Sequence, residues 1–130
     1  MINPEELKYY IALQEFFKEK MGEWRWYDRW YDSENGEDGV VLPGQLTEFR
    51  RGDFQEFIRL PLPIDPYKPE RGLLEMIKGI NGDLISIHQT ETQWCCCFFN
   101  KISGFVCWYA PTPTLALLKA LARQEGIEVE

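Results

Sequence analysis

The chain has 130 residues and a formal net charge of −7, with 45% apolar and 15% aromatic side chains. This length suits one domain, residues 1–130, that buries about two-thirds of its unfolded surface, and the aromatic content argues against disorder. The acidic balance disfavours direct binding to nucleic acid or to an anionic membrane, because both require a basic surface. No apolar run approaches the ~20 residues of a membrane span and no secretory signal is visible, so we expect a cytoplasmic protein.

The first predicted element is a helix that begins after Asn3 and ends before Gly22. Asn3 suits the N-cap, a proline follows at the first helical position, and Glu6 is placed to reach back in a capping box. Apolar residues then recur at helical spacing and form one stripe: Leu7, Tyr10, Ile11, Phe17 and Met21. Gly22 is a natural C-terminal stop.

An aromatic segment and a turn follow this helix. The residues of Trp24–Tyr31 are rich in rings, which predicts a strand. Asn35 and Gly36 are typical of a hairpin turn, so residues 40–42 are expected to return as the second strand. A short helix is predicted near residues 53–58.

Residues 60–69 contain four of the eight prolines. Proline lacks the backbone donor that a sheet interior requires, so we expect this segment to be a stiff connector that wraps the surface. Residues 70–80 return to helical spacing, with an apolar face made of Leu73, Leu74, Ile77 and Ile80. A helix is therefore predicted after the connector.

Strand patterns dominate the C-terminal half of the chain. Three strands are predicted, and their short polar links imply an antiparallel meander: residues 84–88, 93–99 and 105–109. Thr112 and Pro113 then open a helix that ends at Gly126 and turns one apolar face inward: Leu115, Leu118, Leu121 and Ala122. The predicted fold class is α+β, a three-stranded meander flanked by helices (α-β-β-β-α) and preceded by an N-terminal helix and an aromatic hairpin.

Four cysteines and the only histidine fall on or near these predicted strands. Alternation places Cys95 and Cys97 on one strand face, and Cys107 and His88 lie on neighbouring strands, so the four side chains could meet around zinc. The usual spacing of two cysteines separated by two residues is absent, and free cysteines commonly pack as small core residues. We therefore expect free packed thiols with no metal and no cofactor, and a structural role for His88.

The rings of the aromatic segment are the strongest candidates for a binding surface. Exposed Trp and Tyr with interleaved arginines are typical of protein contacts, although the same rings could fill the core or stack on a nucleotide. Residues 1–39 carry ten acidic and five basic side chains, so this third holds most of the negative charge. The predicted binding residues are Trp24, Trp26, Trp30, Tyr31, Glu34, Glu37 and Asp38.

Several segments of the chain resemble a known family. They are Leu73–Ile80, the tryptophan-bearing run Trp94–Phe99, and Ala110–Leu121, which opens a threonine-initiated helix rich in alanine and leucine. They are similar to the small phage and prophage proteins called phage ABA sandwich domains, and Gly22–Trp26 resembles the aromatic segment of that family. The resemblance covers residues 70–126, and it implies a fold but no site, because its motifs carry no catalytic residues.

Together these patterns predict a non-enzymatic binding protein encoded by a phage or prophage, with no catalytic residues. Its partner would be a protein with a basic surface, such as a host defence component, because an acidic domain can occupy a basic groove. The alternatives are a binder of a small molecule or nucleotide that stacks on the aromatic segment, and an enzyme that uses His88 and a cysteine. Exposure of the aromatic segment would favour the first prediction.

Overall fold

The computed structural model describes residues 2–65, 67, 68, 83–102 and 104–129, and for residues 83–85 it describes the backbone alone. This part of the chain is α+β, with four helices and two three-stranded antiparallel sheets. The helix predicted over residues 70–80 lies outside the described residues. Within the described ranges, no helix is long and apolar enough to cross a bilayer.

Two helices open the chain where one continuous helix was predicted. Helix α1 spans Pro4–Ala12 and helix α2 spans Gln14–Met21, and Leu13 between them leaves the helical conformation. Leu13 is fully buried, as is Phe17 one turn later. The residue at which the two helices meet is therefore part of the core. Gly22 ends α2 with a positive φ of 70°, as the sequence predicted.

The N-terminus of α1 is capped as predicted. The Asn3 side chain accepts hydrogen bonds from the backbone N–H groups of Glu5 at 2.9 Å and Glu6 at 3.4 Å. The Glu6 side chain does not complete the predicted capping box, because its carboxylate accepts a hydrogen bond from the Thr112 hydroxyl at 3.3 Å. This bond links the first helix of the chain to the N-cap of the last.

The first sheet has the strand order β2-β1-β3. Strand β1 spans Arg29–Asp32, β2 spans Glu37–Val40 and β3 spans Phe57–Leu60, and β1 pairs antiparallel with both neighbours. Strands β1 and β2 form the hairpin predicted around Asn35 and Gly36, and Gly36 has the positive φ of 71° that such a turn uses. The returning strand was predicted at residues 40–42, which is wrong, because pairing starts directly after the turn at Glu37 and ends at Val40. Strand β2 is consequently an edge of this sheet.

The short helix predicted near residues 53–58 is misplaced. A 3-10 turn at Pro43–Gln45 leads into helix α3, which spans Leu46–Arg51 and ends at Gly52 in a left-handed conformation. The predicted range instead leads into strand β3. A glycine C-cap followed by a β-rich stretch explains the difference, because the helix must stop before Gly52.

The second sheet confirms the predicted meander. Its strands pair antiparallel in the order β4-β5-β6 and span Asp83–Gln89, Trp94–Asn100 and Gly104–Ala110, respectively. Helix α4 spans Pro113–Gln124, and its N-cap Thr112 accepts a hydrogen bond from the Leu115 N–H at 3.1 Å. Helix α4 lies against β5 and β6, and α1 packs on α4.

One cluster of buried residues draws on both sheets. Helix α4 supplies the largest share, and α1, α2, the residue between them, β3 and β5 supply much of the rest: Leu115, Leu117, Leu118, Leu121, Tyr10, Leu13, Phe17, Ile58, Leu60, Cys96 and Phe98. The proline-rich segment also enters this core, which corrects the prediction that it wraps the surface. Pro61 and Ile64 are buried, and the Ile64 N–H donates a hydrogen bond to the Thr114 hydroxyl at 2.8 Å.

Candidate functional site

The aromatic segment Trp24–Tyr31 is divided between a turn and a strand, which corrects the prediction of one strand. Residues 24–28 lie outside the sheet, and pairing starts at Arg29. Tyr27 has a positive φ of 67°, a left-handed conformation that side chains rarely adopt. Such a residue interrupts a strand, and it persists only where the surrounding structure holds it.

Hydrogen bonds and an ion pair hold this turn. The Tyr27 N–H donates to the Val41 carbonyl at 2.8 Å, and the Val41 N–H donates to the Asp28 carbonyl at 2.8 Å. The Asp28 carboxylate accepts a hydrogen bond from the Arg25 N–H at 2.6 Å and another from the Arg59 guanidinium at 2.6 Å. The side chains of Asp28 and Arg59 are only 10% and 5% exposed, so a buried ion pair ties the turn to strand β3.

The three predicted tryptophans occupy two different environments. Trp24 and Trp30 are half-buried, and Trp26 is 58% exposed. The Trp24 ring lies 4.8 Å from the Phe49 ring, and Trp30 stacks on Phe57 at 4.8 Å. Trp24 and Trp30 therefore belong to an aromatic cluster, whereas Trp26 is available at the surface.

The three predicted acidic residues lie exposed on the hairpin. Glu34 is in the turn between β1 and β2, and Glu37 and Asp38 are on β2. Tyr31, which was predicted with them, packs half-buried against the core cluster. Four of the seven predicted binding residues are thus exposed: Trp26, Glu34, Glu37 and Asp38.

Three further apolar side chains are exposed beside Trp26, and sequence reasoning missed them as site residues. Tyr27 is 63%, Val40 41% and Leu42 51% exposed. The hydrogen bonds between the turn and Val41 place residues 26–27 next to residues 40–42. The four apolar residues lie at the open end of the hairpin, and the three acidic residues lie along β2 and in the turn at its other end. We call these seven exposed residues together the hairpin surface: Trp26, Tyr27, Val40, Leu42, Glu34, Glu37 and Asp38.

A groove of about 600 Å³ lies beside the aromatic cluster. Its lining includes four aromatic rings and three cationic side chains: Trp24, Phe49, Phe54, Phe57, Lys18, Arg50 and Arg59. The Arg59 guanidinium carbon lies 5.3 Å from the centre of the Trp24 ring, within cation–π distance. The rings suit a planar ligand. The charge of the lining is mixed, because Glu15 also lines the groove, Arg59 pairs with Asp28, and Arg50 lies 4.0 Å from the Glu23 carboxylate.

The cysteines of strand β5 divide between the two faces of the second sheet. Cys96 turns toward α4, where its thiol lies 3.7 Å from the Pro113 carbonyl oxygen, and burial raises its pKa to about 12. Cys95 and Cys97 turn to the other face, where Cys107 of β6 lies opposite Cys97. The Cys97 sulfur is 3.4 Å from the Cys95 sulfur and 2.9 Å from the Cys107 sulfur, and all four cysteines are free thiols.

Three of the four side chains considered as zinc ligands therefore meet, with their sulfur atoms within 4.8 Å of one another. His88 lies opposite Cys95 on β4, but it is exposed, and its Nδ1 is 3.2 Å from the Ser86 hydroxyl. The prediction of packed thiols is confirmed for Cys95, Cys96 and Cys97, which are buried. It is wrong for Cys107, which is exposed on β6 at the edge of the described sheet, whereas β5 lies at its centre.

Comparisons with known proteins leave the family open. No protein-family model matches the chain, and neither the curated proteins nor the solved structures give a match. The resemblance to phage ABA sandwich domains therefore stays a prediction.

Proposed function

We propose that this protein is a non-enzymatic binding module whose hairpin surface engages a protein partner with a basic surface. The observation that carries the proposal is the exposure of four large apolar side chains at one end of an acidic edge strand. Single exposed hydrophobic residues are ordinary, whereas a group of them with polar neighbours is typical of a contact site. The resemblance to phage ABA sandwich proteins suggests a phage or prophage protein whose partner belongs to the host.

The two halves of the hairpin surface have different roles in this proposal. The carboxylates of Glu34, Glu37 and Asp38 speed association with a basic partner and select against acidic ones. The rings of Trp26 and Tyr27 supply apolar contact area, which slows dissociation. Charge therefore sets mainly the association rate, and the rings set mainly the lifetime of the complex.

The backbone of the hairpin adds to this surface. Within the described part of the chain, β2 pairs with β1 alone, so the outer edge of β2 is free to bind an extended segment. Charged side chains on an edge strand discourage pairing between copies of the same chain, and Glu37 and Asp38 are on this strand. A basic segment avoids this repulsion, which favours the partner chemistry that we propose.

Affinity capture followed by kinetics on the captured protein tests the proposal. The triple variant Glu34→Gln/Glu37→Gln/Asp38→Asn should lower the association rate at least tenfold at low salt and weaken its salt dependence. Trp26→Ala should instead raise the dissociation rate at least tenfold, at an unchanged association rate. Ile102→Ser is the matched control, because Ile102 is 96% exposed in the link between β5 and β6.

The proposal fails if the captured protein binds all these variants equally. It also fails if the captured molecule is nucleic acid, with an affinity that falls steeply with salt.

The aromatic groove favours a second candidate function, the binding of a nucleotide or a similar planar anion. Trp24 would stack on the base, and Lys18, which lines the same groove, would neutralise the phosphate. Titration with adenosine mono- and triphosphate, followed by tryptophan fluorescence, tests this function. Binding that is lost in Trp24→Leu and kept in Trp26→Ala would support it, and no change with either nucleotide would reject it.

A further inference from the structure

The cluster of Cys95, Cys97 and Cys107 has no part in the proposed function, because it lies on the second sheet. Cross-strand pairing places Cys107 directly opposite Cys97, and the pleat places Cys95 on the same face two residues away. On this face Cys95 and Cys97 are buried and Cys107 is exposed. The core of this sheet lies on the opposite face, where Cys96 and Phe98 pack in the buried cluster.

The distances between the three sulfur atoms suit one metal ion. Sulfur atoms that bind one zinc at ~2.3 Å and tetrahedral angles are about 3.8 Å apart. The observed separations are 2.9 Å and 3.4 Å for the two neighbouring pairs, and no pair is more than 4.8 Å apart. Each sulfur–sulfur separation therefore differs from about 3.8 Å by at most about 1 Å.

The site is also accessible. Cys107 is exposed, whereas Cys95 and Cys97 are shielded by the side chains around them. No carboxylate or ring nitrogen joins these three sulfurs in a tight ligand group within the described part of the chain, so the ligands are thiolates alone. A ligand set of only soft donors selects soft d10 ions over magnesium or calcium.

A thiol binds a metal ion as a thiolate. Metal binding at this cluster therefore displaces protons, and the affinity should rise with pH.

We propose that Cys95, Cys97 and Cys107 form a binding site for one soft d10 metal ion, Zn²⁺ or Cu⁺, with three thiolate ligands and an open fourth position. Each thiol gives up its proton to solvent as its sulfur binds the ion, and no electron is transferred. His88 is not one of the ligands in this proposal, because its Nδ1 is within hydrogen-bond distance of the Ser86 hydroxyl.

Metal titration of the fully reduced protein, under anaerobic conditions and in competition with a chromophoric chelator, tests the site. Zn²⁺ and Cu⁺ are titrated separately, and Co²⁺ serves as a spectroscopic substitute whose sulfur-to-cobalt absorption reports thiolate ligation. One equivalent should bind with release of protons. Cys97→Ser and Cys107→Ser should each lower the affinity more than ~100-fold, because loss of an outer-shell partner alone costs about 10–100-fold.

Cys96→Ala is the matched control, because Cys96 is the neighbouring cysteine on the opposite face, and its metal affinity should equal that of the wild type. Cys107→Ser keeps the test valid if Cys97→Ser fails to fold, because Cys107 is exposed. The proposal is overturned if the reduced protein binds neither ion. It is also overturned if both serine variants bind as tightly as the wild type.

Discussion

The ion pair between Asp28 and Arg59 fixes the turn that presents Trp26 and Tyr27. The Arg59 Nη2 lies 2.6 Å from the Asp28 Oδ2, and both side chains are at most 10% exposed. Arg59 also donates a hydrogen bond to the Gly22 carbonyl. We therefore expect the two partners to differ in how much stability their removal costs.

Replacing Asp28 should be the more damaging change. Asp28→Asn keeps the shape but leaves the Arg59 guanidinium buried without its carboxylate, which should cost about 3–5 kcal/mol of unfolding free energy. In Arg59→Met the remaining carboxylate keeps the Arg25 N–H at 2.6 Å and the Arg25 guanidinium at 4.0 Å. That loss should be about 1–3 kcal/mol, because the charge that remains still has partners.

Urea titration at neutral pH, followed by tryptophan fluorescence, measures both losses, and the double variant should cost less than their sum. Arg51→Met is the matched control, because its ion pair with Asp53 at 3.1 Å is exposed and should be worth less than about 1 kcal/mol. A loss below about 1 kcal/mol for Asp28→Asn, or a larger loss for Arg59→Met than for Asp28→Asn, would refute this reasoning.

Three further predictions test the core, the strained turn and the buried acid. Leu118→Ala should cost about 2–5 kcal/mol in urea titration, against less than about 1 kcal/mol for the exposed Arg123→Ala, and equal losses would place α4 outside the core. Tyr27→Gly should be more stable than Tyr27→Ala by about 1 kcal/mol, because glycine alone tolerates the positive φ, and the reverse order would mean that this φ is unstrained. Burial raises the pKa of Glu6 above 4.5, against the Thr112 hydrogen bond, so the native state holds this proton more tightly than the unfolded state does. Relative to Glu6→Gln, the wild type should therefore lose stability as the pH rises from about 4 to about 7, and a pH-independent difference would contradict this.

The second half of the fold was predictable because its signals are local. Alternation with short polar links defines β4, β5 and β6, and the pair Thr112 and Pro113 marks the start of α4. The first half depends on distant contacts. Strand propensity extended the aromatic strand back to Trp24, whereas the ion pair with Arg59, 31 residues away, holds residues 24–28 in a turn.

In the candidate site, too, some features follow from local sequence and others depend on distant contacts. The exposure of Trp26 and of the acidic hairpin follows from local composition and from the turn at Asn35 and Gly36. The exposure of Tyr27 and Leu42 could not be predicted in this way. Tyr27 is exposed in a turn with a positive φ, and Leu42 is exposed after the end of edge strand β2. Alternation correctly grouped Cys95, Cys97 and Cys107, and the strand register that sets their distances appears only in the structure.

Site-specific photo-crosslinking tests the proposed binding surface most directly. The photoreactive amino acid p-benzoylphenylalanine is placed at Tyr27, where a ring is 63% exposed, and in a second variant at Ile102 as an exposed control on the other sheet. Our account predicts that the Tyr27 position crosslinks to a protein with a basic surface, and that the triple charge variant lowers the yield, whereas the Ile102 position does not crosslink to that protein. Identical adducts at both positions, or nucleic acid crosslinked at Tyr27, would contradict it.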